Sequence, residues 1–193
     1  MGKLNDFVGQ IEKASEFNRK AFMLNDMDAS AAEGSDEFVE LHAEAIDLLY
    51  DDFNGQSAHG LKLFGEFQLL SLKKAKKFWG EQCDINGEFE CECSDQRLKD
   101  GFGWRRKWFP FCWDQNRNGL LMLDFDPSQH GNTGQVFGVA AGNDPGRFVA
   151  SSLDEFLDKR LTQMAASGYQ LNRGALPMVF PVPKIRKSKS TDS

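Results

Sequence analysis

Trp108-Phe109-Pro110-Phe111-Cys112-Trp113-Asp114-Gln115-Asn116-Arg117-Asn118-Gly119-Leu120-Leu121-Met122-Leu123-Asp124-Phe125-Asp126 places two apolar runs on either side of a polar tip. The tip ends in Asn118-Gly119, a pair that tolerates positive φ, so the stretch predicts a β-hairpin. Strand alternation then sends Leu121, Leu123 and Phe125 to one face and Met122, Asp124 and Asp126 to the other, and Asp126-Pro127 opens a turn. Downstream, strands are expected at 135–141 and 148–150, with Gly142 through Gly146 turning between them. Ser152 with Glu155 three residues on reads as a capping box. The helix it opens has the stripe Leu153, Phe156, Leu157, Leu161 and Met164, and Gly168 ends it.

Upstream, Ser71 opens a helix with Leu72, Ala75, Phe78 and Trp79 on its apolar face and Lys73, Lys74, Lys76 and Lys77 in water. Leu61, Leu63, Phe67 and Leu69 alternate around Gly65 as short strands do. Residues 35–53 form a helix capped at Ser35, with the face Phe38, Leu41, Ala45, Leu48 and Leu49 and a stop at Asn54-Gly55. Residues 3–24 carry a helical stripe, followed by a small, polar linker at 29–35. Between Gly80 and Gly103 the chain reads as an irregular insertion with one strand at 89–93. The order of elements argues α+β with a mostly antiparallel sheet and packed N-terminal, middle and C-terminal helices. The expected organisation is a helix and linker at 1–34, one folded domain at 35–170, and a Pro-containing basic tail, partly disordered, at 171–193.

The 193 residues, 40% hydrophobic and 12% aromatic, suffice for one soluble domain with a sizeable core. Neither a membrane span nor a signal peptide is legible, which predicts a cytoplasmic protein. Cys83, Cys91, Cys93 and Cys112 lack the paired two-residue gaps of zinc ribbons, and His42, His59 and His130 are scattered, so reduced thiols and no metal site are expected. The net charge of −6 is unevenly spread. From Ala21 to Leu61 there are ten carboxylates and no Lys or Arg, and a second acidic run covers Glu81 to Asp95. Nucleic acid is repelled by such fields, whereas a basic protein partner is attracted.

Asp114, Asn116, Asn118 and Gly119 match the first half of a calcium-binding EF-hand loop, but position 12 is Phe125 and the flanks read as strands, so a hairpin tip is expected instead. Asp124 and Asp126 at a strand end could hold magnesium in a metal-dependent enzyme; the alternating strand-helix units and glycine-rich phosphate loop of such enzymes are absent. No Gly-x-Ser-x-Gly elbow or Cys-His pair is legible, so no catalytic residue is assigned. Trp104, Trp108 and Trp113 beside Arg105, Arg106 and Lys107 read as packing rather than base-stacking groups, given the overall acidity.

Trp108-Phe109-Pro110-Phe111, residues 121–127, Gly134-Gln135-Val136-Phe137 and Ser152 to Leu157, in that order, resemble the SUKH superfamily of fungal cell-wall-assembly regulators and bacterial immunity proteins. Residues 51–55 and 63–72 resemble its earlier block, so the likeness spans about residues 36–161. The N-terminal helix, the acidic insertion and the basic tail have no counterpart in it.

The resemblance implies a single α+β domain with no catalytic residue and no cofactor, whose bacterial members bind and neutralise a cognate toxin, often a nuclease. A basic nuclease cleft would draw an acidic inhibitor. The expected partner contacts are therefore Glu37, Glu40, Glu44, Asp47 and Asp51, with Glu88, Glu90 and Glu92 of the insertion and Asp114 at the hairpin tip. The shared residues Trp108, Pro110, Phe111, Asp124, Asp126, Gly134 and Gln135 are read as fold determinants, and Asp124 and Asp126 as magnesium ligands only under the enzyme reading. A regulatory scaffold binding cellular partners is the alternative. The short tail trailing the domain favours the compact immunity protein over a scaffold with a long arm. Neither reading calls for membrane binding, and the oligomeric state is open.

Overall fold

The computed structural model describes residues 3–14, 19–22, 24–26, 37–50, 53–57, 59, 62–65, 67–84, 90–91, 95–99, 101–102, 104–114, 119–139 and 146–166. The chain runs α1 (Lys3–Ala14), a 3-10 turn (Arg19–Phe22), β1 (Leu24–Asp26), α2 (Glu37–Leu49), β2 (Phe53–Gln56), β3 (Gln68–Leu69), α3 (Leu72–Asp84), β4 (Glu90–Cys91), β5 (Gly101–Phe102), β6 (Trp108–Asp114), β7 (Gly119–Asp124), β8 (Gln135–Val139), β9 (Arg147–Ala150) and α4 (Leu153–Ala166). β6 and β7 are the expected hairpin and form the centre of a five-stranded antiparallel sheet in the order β3-β6-β7-β8-β9. The fold is thus α+β, as the order of elements requires. The linker at 29–35, Ser35, the hairpin tip at 115–118, Gly142 and Gly168 lie outside the described residues, as does the tail.

Strand alternation gives the sheet two different faces. Phe109, Phe111, Leu121, Leu123 and Val136 join the buried residues of all four helices in the main core. Trp108, Met122 and Phe137 form, with Leu98, a smaller core that Trp104 packs against. Leu98 and Trp104 therefore cover part of the sheet face opposite the helices. Each fully buried aromatic ring contributes roughly 2 kcal/mol.

Three local readings are corrected. The stripe over 3–24 is not one helix: α1 ends at Ala14, and Leu24–Asp26 pairs antiparallel with Phe53–Gln56. Helical spacing persists through Ala21 and Leu24, but the backbone there finds partners about thirty residues further on, and Gln56 Nε2 donates to Phe22 O at 2.9 Å. Asn54-Gly55 is no helix stop, since it lies inside β2. Asn54 Oδ1 accepts from Leu72 N at 2.8 Å, so it caps α3 from outside the helix, while Ser71 Oγ accepts from Lys74 N at 3.3 Å in the expected way. Gly55 has φ +83°, and a Cβ there would stand 2.5 Å from Ser71 N. Finally, Glu155 reaches back to Ser151 N (2.6 Å) rather than to the cap residue, while its own N donates to Ser152 Oγ at 3.2 Å.

Gly55→Ala combines forbidden backbone with a clash against backbone atoms, so it is expected to lower stability by about 3 kcal/mol in urea denaturation. Ser152→Ala should cost only about 1 kcal/mol in the same measurement.

Candidate partner-binding surface

α2 is an amphipathic helix whose two faces differ in kind as well as polarity. Phe38, His42, Ala45, Ile46 and Leu49 are buried, and Glu37, Glu40, Glu44 and Asp47 are exposed. The four acids recur at steps of three, four and three residues, which on a helix aligns them in one stripe about 15 Å long. No Lys or Arg lies on α2. Arg106, on the approach to β6, pairs with Glu37 and anchors the first turn of the helix to the sheet. Glu40, Glu44 and Asp47 thus present a negative edge in which successive charges lie within about one Debye length of each other.

The other expected contacts are distributed differently. Asp51, Glu88 and Glu92 lie outside the described residues, and Glu90 belongs to β4, opposite Phe102. Asp95 is taken up locally: Arg97 donates to it at 2.6 and 2.8 Å, and those bonds hold its carboxyl below the usual range. Asp114 departs from expectation. It closes β6 in register with Gly119 at 2% exposure, so its carboxylate is not a contact surface. Lys62, whose Nζ lies 3.4 Å from Gln68 Oε1, feels its charge. The same register excludes an EF-hand, whose loop must be flanked by helices.

The residues shared with the family motif lie at the sheet centre. Trp108 packs on Phe137 (ring centroids 4.8 Å) and Trp104 (5.9 Å) over the smaller core. Pro110 is buried opposite Met122, beside a bulge that shifts the β6–β7 register before Cys112. Phe111 meets Phe64 and Phe156 edge-on at 6.4 and 5.9 Å. Asp124, at 0% exposure, accepts from Gln135 Nε2 and from Asp126 N, both at 2.9 Å. Burial pushes its carboxyl up, and those two hydrogen bonds pull it back. Gln135 Nε2 also donates to Arg97 O at 3.0 Å, and Gly134, at φ +77°, donates its amide to Asp124 O at 2.7 Å. Asp126 pairs with Lys99. These bonds fasten the 95–99 segment across the sheet. They also engage both oxygens of Asp124, leaving a magnesium ion only what it could win from a buried amide network.

His42 was grouped with the scattered histidines by sequence alone, yet it stands at the middle of the buried face of α2. Its ring lies 5.0 Å from Phe38, 5.2 Å from Phe109, 5.9 Å from Trp79 and 6.4 Å from Phe125, and the helix is kinked there (φ −123°, ψ 20°). The signal was present in its spacing, four residues after Phe38 and three before Ala45.

Asp124→Ala, which leaves Gln135 and the Asp126 amide unpaired inside the protein, is expected to cost about 2–3 kcal/mol in urea denaturation. Glu44→Gln, on the exposed stripe, should stay within about 0.5 kcal/mol of the parent.

Among the described residues no helix is long and apolar enough to cross a membrane. Comparison with curated proteins finds no match. The model of the SMI1/KNR4 family (SUKH-1) matches residues 38–159, from the first buried ring of α2 to the middle of α4, and leaves α1 and β1 outside. With well over half its length so matched, and with the motif residues forming the hairpin centre and its clasp, the chain belongs to the SMI1/KNR4 (SUKH-1) family.

Proposed function

We propose that this protein is a non-catalytic immunity protein of the cytoplasm, which binds a cognate toxin through the carboxylate stripe of α2 and blocks it. The observation that carries the reading is the pairing of family membership with Glu40, Glu44 and Asp47 exposed along one side of a helix that carries no Lys or Arg. A toxin acting on nucleic acid needs a cationic cleft, and a negative helix edge is steered to such a cleft and competes there with phosphate. The engagement of Asp124 within its own network supports a binding role over metal-dependent catalysis. The sheet and its clasp serve as scaffold in this reading, and α2 supplies specificity. Nothing in it calls for a cofactor, for nucleic acid as a direct ligand, or for a membrane.

The test is co-purification with the product of an adjacent toxin-like gene, catalytically disabled, followed by titration calorimetry at low and high salt. A one-to-one complex weakened by salt is expected. Reversing Glu40, Glu44 and Asp47 to Lys should weaken binding at least tenfold and flatten its salt dependence, while leaving thermal stability near that of the parent. Absence of any complex with such products contradicts the immunity reading and favours a scaffold for cellular partners.

A further inference from the structure

Burying an imidazole without hydrogen bonds is costly, and far more so when the ring carries a proton. His42 is 1% exposed, and neither ring nitrogen has a hydrogen-bond partner. Its neighbours are the rings of Phe38 from the helix itself, Trp79 from α3, Phe109 from β6 and Phe125 beyond β7. α1, which also packs on α2, buries Leu4, Phe7, Val8 and Ile11, while its Asp6 and Lys13 are exposed, Glu12 is half-buried and Lys3 pairs with Asp154. Among the described residues no side-chain charge acts on the ring. On α2, Glu37 is exposed and paired with Arg106, and Glu40, Glu44 and Asp47 are exposed. On α3, Lys73, Lys74, Lys76, Lys77 and Glu81 are exposed, and among the described residues the titratable group on the buried side is the Cys83 thiol. Around β6, the Arg106 guanidinium goes to Glu37, and Lys107 is exposed. Around Phe125, Asp124 faces Gln135, and Asp126 pairs with Lys99. The acceptor that bears on the ring is the Arg106 carbonyl, which also takes the Trp79 Nε1 hydrogen bond at 2.8 Å. The kink falls at the same residue, so the helix is already interrupted between Glu37 and Glu40 on one side and Glu44 and Asp47 on the other.

We propose that His42 is an acid-sensitive latch: protonating the ring releases α2 from Trp79 and Phe109 and breaks up the carboxylate stripe on its outer face. The latch is read from the free chain, and it rests on the partner-binding reading only for its consequence, loss of the docking face on acidification.

Burial lowers the His42 pKa from 6.5 to about 4, the Arg106 carbonyl opposing slightly. The packed helix therefore favours the neutral ring. Its grip is complete above about pH 6.5 and is lost progressively as pH falls toward 4, because the released ring binds the proton more tightly than the packed one. Between about pH 7 and pH 4.5 the opening equilibrium of α2 should rise by roughly 50-fold.

Amide hydrogen exchange on the full chain, corrected for the intrinsic effect of pH, tests this without a partner. Protection over Glu37–Leu49 should fall at least tenfold more than protection over β6–β8 between the two pH values. His42→Phe, which fills the aromatic cage with a ring that cannot be protonated, should abolish that excess. An excess that persists in His42→Phe overturns the latch, as does equal loss in α2 and the sheet. The carbon-13 shifts of the His42 ring in the parent protein give a readout that does not depend on the variant folding. Titration well below pH 6, together with α2 loosening, is expected, and titration near 6.5 with α2 still protected contradicts the proposal.

Discussion

Phe109 is the contact on which the rest of the structure turns. Its ring is fully buried, stacks against Phe38 at 5.5 Å, and meets His42 and Tyr50 edge-on at 5.2 and 6.1 Å. Because β6 is pleated, fixing Phe109 and Phe111 toward the helices fixes Trp108 toward the opposite face. One strand thus serves two cores. A slip of one residue would carry the helix-facing rings to the wrong side, so the β6–β7 register is held by packing as much as by the ladder.

The polar clasp around Asp124 does a different task. Buried carboxylates are expensive unless paired, and this one is satisfied by an amide side chain and a backbone N–H rather than by a cation. Gln135 bridges from that carboxylate to Arg97 O and accepts from Asn132 N at 3.2 Å, so one side chain joins the sheet, the turn before β8 and the 95–99 segment. The Arg97 guanidinium then lies 3.4 Å over the Phe148 ring. The outer side of α2, where recognition is proposed, is held from beneath by aromatic packing and at its first turn by Arg106.

What could be read from the sequence follows interaction range. The β6–β7 hairpin, α3 and α4 are set by residues within a few positions of one another, namely a turn pair, a cap and a stripe, and each stands close to its expected place. β1 could not be read, because its partner β2 lies about thirty residues away and its local spacing still resembles a helix. Asn54 and Gly55 carry a strong local turn signal, yet their use is tertiary: one caps α3 and the other lets Ser71 come close. The acids of α2 were legible as charge, whereas the burial of Asp114 depends on sheet register, which composition does not encode. His42 shows the same limit, since an aromatic cage assembled from α2, α3, β6 and Phe125 has no signature in any one segment.

Folding thus rests on the hairpin and its clasp, and the proposed recognition on the exposed edge of α2. The most direct test of that division is amide chemical-shift mapping of the labelled chain, titrated with the disabled product of an adjacent toxin-like gene. The account predicts that the largest perturbations fall on Glu40, Glu44 and Asp47 and their neighbours. A footprint confined to α4 and β9, with α2 unperturbed, would contradict it.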